Sequence, residues 1–145
     1  MIRDKKMIFA TNNLHKVAEI KSVLPPEFSI ITLEEVGIHA EIPEPYDTLE
    51  ANAEVKARAI FELTKKSCFS EDTGLEVYSL NNEPGVHSAR YAGEAKSFEE
   101  NIKKLLFKLQ GSSDRNARFR AVICLILDGK EYFFEGICAT AADAD

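Results

Sequence analysis

Ser67-Cys68-Phe69-Ser70-Glu71-Asp72-Thr73-Gly74-Leu75-Glu76-Val77-Tyr78-Ser79-Leu80 sets two adjacent carboxylates between two apolar runs. Residues 67–70 and 75–80 read as strands, with Asp72-Thr73-Gly74 as the turn between them. Adjacent carboxylates at a strand end can hold Mg²⁺ while one of them orients or deprotonates a water. Mg²⁺ typically takes only one or two carboxylates, leaving its other positions to water and phosphate oxygens. The same residues also suit a hairpin turn in which Asp and Gly serve the backbone alone. Glu44, in the proline-bounded loop 41–46, is a second candidate contributor to a metal site.

Before this stretch, Met7-Ile8-Phe9-Ala10 is a short apolar run suited to a buried strand. Leu14, Val17, Ala18 and Leu24 then follow helical spacing, and Pro25-Pro26 stops the helix. The strand-to-helix turn between them is Thr11-Asn12-Asn13-Leu14-His15-Lys16. A helix N-terminus presents free N–H groups and partial positive charge, which suit a phosphate, and Lys16 falls in the first turn. Taken alone, the turn favours plain capping by Asn12 or Asn13 beside a solvated Lys16. A second strand follows over residues 28–33. Asp47, with Glu50 three residues on, resembles a capping box for an alanine-rich helix reaching about Lys65. On that helix Asn52 and Lys56 stand at i and i+4, so they share a face, although taken alone the pattern favours an exposed lysine on a helix already rich in Glu50, Glu54 and Arg58.

After it, residues 81–93 read as a loop carrying Pro84-Gly85-Val86-His87-Ser88-Ala89-Arg90-Tyr91-Ala92-Gly93. Its Arg90 suits a two-pronged grip on phosphate, while His87 is assigned no catalytic role. Ser97 caps a third helix with apolar Ile102, Leu105, Leu106 and Leu109, and Gly111 ends it. Residues 117–127 and 132–139 are β-rich and joined at Asp128-Gly129, a hairpin signal. Helices alternating with strands, then a hairpin, predict a mixed-sheet α/β or α+β domain. The 139–145 tail has no core-forming pattern.

Bulk properties narrow the function. The 145 residues suit one domain. A formal charge of −6 disfavours nucleic-acid polymers, which need many Lys and Arg contacts, but permits a small anionic ligand. Cys68, Cys124 and Cys138 form no C-x-x-C pair and read as buried free thiols in a reducing compartment. The polar start Met1-Ile2-Arg3-Asp4-Lys5-Lys6 does not resemble a signal peptide, and no window approaches the ~18 apolar residues of a membrane span. A cytoplasmic protein with no membrane partner is expected. Asp72-Thr73-Gly74 alone also matches the aspartic-protease core, in which two aspartates share a proton. Here it occurs once, and Leu75 follows where that family prefers a small residue.

The order of these features closely resembles one family. Thr-Asn-Asn-x-x-Lys, Asn-Ala-x-x-Lys-Ala, Glu-Asp-Thr-Gly-Leu and Pro-Gly-x-x-Ser-Ala-Arg-Tyr-Ala-Gly are similar to the noncanonical purine NTP pyrophosphatases, the Ham1-like inosine/xanthosine triphosphatases. The likeness runs from about Met7 to about Ala139, with Asn12 in place of a more usual glycine. It implies an elongated two-lobed α/β fold with a mixed central sheet, usually a homodimer, and Mg²⁺-dependent hydrolysis of ITP, dITP or XTP to the monophosphate and pyrophosphate. It further implies Asp72 as general base and metal ligand, and Glu44 as the acidic metal-site residue. Substrate contacts would come from Thr11, Asn12, Asn13, Leu14, His15, Lys16, Asn52, Lys56, Thr73, Gly74 and Arg90. A related dTTP/UTP pyrophosphatase family matches less well. The family's glycine-aromatic Gly-Phe-Gly-Tyr-Asp-Pro and later Ser-His-Arg motifs, which enclose the purine, do not occur here. The expectation is a fold incomplete at its C-terminus with weak base selectivity. The alternative is an inactive nucleotide-binding or partner-binding fragment.

Overall fold

The computed structural model describes residues 6–141. The polar start at residues 1–5 and the Ala/Asp tail from 142 on lie outside them. Among the described residues the α-helices and strands run in order β1 (Lys6–Phe9), α1 (Leu14–Val23), β2 (Ser29–Ile31), α2 (Leu49–Thr64), β3 (Cys68–Val77), β4 (Glu83–Gly85), α3 (Phe98–Lys108), β5 (Asn116–Leu127) and β6 (Lys130–Ala141). The sheet order is β2-β1-β3-β5-β6, with β4 added on β3. β1 is parallel to β2 and β3, whereas β4 is antiparallel to β3, so the sheet is mixed as predicted.

The chain forms two compact units. Among the described residues the first comprises 6–46, Glu50–Glu71 and Ile123–Phe134, and the second comprises Asp47–Leu49, Asp72–Val122 and 135–141. In the first, Phe9, Val17, Ile30 and Phe69 form a core, and the Phe9 and Phe69 rings stack 4.5 Å apart. α2 has alanines at 53 and 57, small enough for β3 to approach closely. The Cys68 thiol donates to the Ala57 carbonyl at 3.3 Å, and the Ser70 hydroxyl to the Ala53 carbonyl. In the second, Val77, Leu109 and Ala117 form the core, joined by Leu75, Leu80 and Leu105. Glu76 is buried there and balanced by Arg118 at 2.7 Å and Arg120 at 3.8 Å.

Short-range signals predict well. Asn13 caps α1 and Ser97 caps α3. Asp128 and Gly129 both take positive φ (51° and 83°), the requirement of a tight two-residue hairpin.

The turn expected at Asp72-Thr73-Gly74 is not there: β3 runs unbroken from Cys68 to Val77. Two causes are visible. β4 pairs with the far half of the strand through Leu75↔Gly85, Glu76↔Pro84 and Val77↔Glu83. Gly74 also lies against the backbone of Gly85, where a Cβ would come within 2.8 Å of the carbonyl carbon. The glycine therefore serves close approach within a strand, not a turn. The other corrections are smaller. Residues 81–93 contain β4 and a 3₁₀ turn at Ser88–Arg90, not only loop. α2 begins at Leu49, one residue later than an Asp47 cap would start it. Residues 139–141 belong to β6. Cys138 is exposed, because it lies on the outermost strand of the sheet.

Two outcomes are expected. Gly74→Ala should lower stability by about 1–3 kcal/mol through overpacking against Gly85, read as a fall in the denaturation midpoint. A thiol reagent at neutral pH should label Cys138 alone in the folded protein. Burial pushes the Cys68 and Cys124 thiols up to about 12, so they should react only once the protein is unfolded.

Candidate active site

Two sets of candidate side chains, one in each unit, become neighbours in sequence at the Glu71–Asp72 bond of β3. The first set is built on α1, α2 and the loop before α2. Lys56 is buried, at 8% exposure, so its charge needs partners. It donates to the Glu71 carbonyl at 2.7 Å and pairs with Glu44 at 3.4 Å. Lys16, in the first turn of α1, pairs with the Glu71 carboxylate at 2.7 Å. Two lysines and two carboxylates thus gather around Glu71, within β3.

The Thr11–Lys16 turn is organised by its own side chains. Asn13 Oδ1 accepts from the His15 and Lys16 N–H groups at 3.0 and 3.3 Å, and the Thr11 hydroxyl accepts from the Asn13 N–H at 3.1 Å. Capping is therefore real, but Lys16 is not merely solvated. Asn12, Leu14 and His15 are exposed at the helix entrance. Asn52 is brought to the same helix face as Lys56, yet both ends of its amide are engaged. It accepts from the Tyr46 N–H at 2.9 Å and donates to the Tyr46 carbonyl at 3.1 Å. It fixes the loop that carries Glu44.

The second set starts with Asp72, which is also 8% exposed. Thr73 and Gly74 follow it in β3, with Gly74 placed by its contact with Gly85. Arg90 ends the 3₁₀ turn, is exposed, and pairs with Glu94 at 3.6 Å. It is the predicted residue whose present contacts point least toward a buried anion site. Sequence reading missed the supports of this set. Asn101 of α3 donates to the carbonyls of Ser88 (3.3 Å) and Ala89 (3.0 Å) and accepts from the Ala92 N–H (2.8 Å). The Tyr91 hydroxyl donates to Glu83 at 2.8 Å, and Lys108 pairs with the same carboxylate at 3.0 Å. The hydrogen bond from Tyr91 and the one from Lys108 hold the Glu83 carboxyl below its usual range, and burial pushes the Tyr91 hydroxyl up. Of these supports only Tyr91 falls within the Pro84–Gly93 motif, and Glu83, Asn101 and Lys108 carried no local signal.

Asp72, Glu44 and Glu71 offer hard carboxylate oxygens of the kind Mg²⁺ takes. Among the described residues no three His, Cys, Asp or Glu side chains gather as a ready metal cage. One or two carboxylates typically suffice for Mg²⁺ when substrate phosphate completes the shell, so the oxygen chemistry of these side chains, taken singly, suits that ion.

A mixed α/β sheet whose third strand carries adjacent Glu71 and Asp72, with Glu71 held by two lysines, puts cations and carboxylates together in a way that suits a phosphate ligand. The Ham1 family profile matches residues 7–141, and the chain belongs to that family. It is 48% identical over 132 residues to a dITP/XTP pyrophosphatase of Flavobacterium johnsoniae, spanning 91% of this chain and 69% of the relative. It is also 48% identical over 133 residues to a dITP/XTP pyrophosphatase of Porphyromonas gingivalis, with the same coverages. Among solved structures, a HAM1 protein from Coxiella burnetii superposes with a TM-score of 0.87 at 32% identity, covering 97% of this chain and 73% of that one.

Replacing Lys56 by methionine should leave the Glu71 carbonyl and Glu44 without their cation. Hydrogen bonds to charged groups contribute about 1.5–3 kcal/mol, so chemical denaturation should report a loss in that range.

Proposed function

We propose that this chain is a Mg²⁺-dependent nucleoside-triphosphate pyrophosphatase hydrolysing ITP, dITP and XTP to the monophosphate and pyrophosphate. In this reading residues 1–145 act as one pyrophosphatase domain, cytoplasmic and homodimeric, with no nucleic-acid polymer as partner. The observation that carries the proposal is the buried Asp72 directly following Glu71, whose carboxylate and carbonyl are held by Lys16 and Lys56. The names of the relatives at 48% identity supply the substrate class.

The reaction asks little covalent chemistry of the protein. Water attacks the α-phosphorus, a P–O bond forms, and the bond to the bridging oxygen breaks as pyrophosphate leaves. Asp72 orients this water and takes its proton. Lys16 and Lys56 offset charge on the phosphate oxygens and the leaving pyrophosphate, and the Thr11–Lys16 turn receives the phosphate chain at a helix N-terminus. Asn12, Leu14 and His15 contribute by lining that entrance, and Thr73, Gly74 and Arg90 by bounding the substrate beyond Asp72. Asn52 acts through the Tyr46 backbone rather than on substrate. Mg²⁺, held by Asp72 and Glu44, would neutralise triphosphate oxygens as a Lewis acid.

Asp72→Asn should keep nucleotide binding while turnover falls by roughly 10²–10⁴-fold, the usual contribution of a general base. Pyrophosphate release from ITP and dITP, with and without EDTA, measures this. Equal turnover in the variant would remove Asp72 from the mechanism, and no turnover by the parent chain would favour a binding fragment over an enzyme.

A further inference from the structure

The Ser88 hydroxyl makes two bonds that join different parts of the second unit. It accepts from the Leu75 N–H of β3 at 2.9 Å and donates to the Gly85 carbonyl at 2.6 Å. Leu75 and Gly85 are register partners in the β3–β4 ladder, so a side-chain oxygen links the backbones of a paired couple. The same Gly85 carbonyl group limits residue 74 to glycine. Ser88 also opens the 3₁₀ turn ending in Arg90, and Asn101 holds that turn from α3 through the Ser88 and Ala89 carbonyls. The Asn101 backbone is itself fixed, its N–H donating to the Ser97 carbonyl at 2.9 Å.

We infer that Ser88 is a positioning residue that fixes the Asp72-Thr73-Gly74 segment of β3 against the Arg90 turn. The inference rests on the pyrophosphatase reading for its functional consequence, but not for its structural content. Leu75 is three residues from Asp72 on an extended strand, and Gly74 between them has no side chain to anchor it. The segment depends on backbone bonds for its register, and the bond from the Leu75 N–H to the Ser88 hydroxyl is one that a side chain supplies on the far side of Gly74 from Asp72. Without the hydroxyl, the Leu75 N–H and the Gly85 carbonyl lose a shared partner in a part-buried setting. A shift of the strand by a fraction of an ångström is enough to misplace a general base.

The test pairs amide hydrogen exchange with steady-state kinetics on the full chain, using Ser88→Ala and Ser88→Thr. In Ser88→Ala, exchange at the Leu75 amide should quicken, and kcat for ITP with Mg²⁺ should fall on the order of 10- to 100-fold. KM should stay within about threefold, since no substrate contact is removed. Ser88→Thr, which keeps the hydroxyl, should restore both kcat and Leu75 protection. The inference is overturned by Leu75 exchange at the parental rate in Ser88→Ala, by unchanged kcat despite faster exchange, or by a loss carried in KM alone. If Ser88→Ala does not fold, Ser88→Cys, with its weak thiol donor, takes its place under the same criteria. If the parent chain releases no pyrophosphate, the functional reading fails separately, and Leu75 exchange still decides whether Ser88 holds the strand.

Discussion

A lysine ammonium taken out of water must find compensating charge and hydrogen bonds, or the fold that buries it is not stable. Lys56 meets that constraint with two partners from different parts of the first unit, Glu44 and the Glu71 carbonyl. One side chain thereby fixes the loop before α2 and the point at which β3 leaves the first unit. The rest of the helix face is arranged to permit this. Ala53 and Ala57 are fully buried and carry no bulk, so the Ser70 and Cys68 side chains reach the α2 carbonyls. Asn52, one turn before Lys56, ties down Tyr46 and with it the end of the Glu44 loop. A helix this rich in alanine is a poor source of hydrophobic stabilisation, and its small residues are explained by the approach of β3.

β3 combines features that a hydrophobic pattern separates. Cys68, Ser70, Asp72, Gly74 and Glu76 alternate along it and all are buried, although three of them are polar and one is glycine. Four of them find a specific reason to be there: Cys68 bonds to Ala57, Ser70 to Ala53, Gly74 fits against Gly85, and Glu76 lies between two arginines. A buried polar strand is costly unless such partners exist, and these partners lie far away in sequence.

That distance explains what could and could not be read from the chain alone. The hairpin at Asp128-Gly129, the Ser97 cap and the helical period of α1 depend on residues within a few positions of one another, and the structure contains all three. Asp-Thr-Gly is locally turn-like, and pairing with β4 together with the close approach of Gly74 to Gly85 overrides that preference. The Lys16–Glu71 pair spans 55 positions and left no local trace. Lys56 was recognisable as a candidate by its place on a helix face, but its burial was not. Asn52 shared that face, and nothing nearby indicated that its amide would be taken by Tyr46.

Electrostatics reconcile an acidic chain with the anionic substrate proposed for it. The formal charge of −6 gives no general attraction for a triphosphate, so the attraction must be local. In the first unit the two lysines are matched by two carboxylates, and the group is close to neutral. Lys16 and Lys56 can exchange a carboxylate for a phosphate oxygen without leaving a charge unpaired, provided Glu44 and Glu71 gain a cation or solvent in return. A triphosphate that arrives with its divalent cation meets that condition, whereas a bare anion leaves the carboxylates facing it unscreened. Lys16 is the better placed to make the exchange, because it is the more exposed of the two and its stem is flexible. Lys56 also holds the Glu71 carbonyl, so it can turn toward substrate only by loosening the strand that carries Asp72. Under the proposed function the pair would divide the work, Lys16 following the phosphate chain and Lys56 keeping the strand in place while lending its charge.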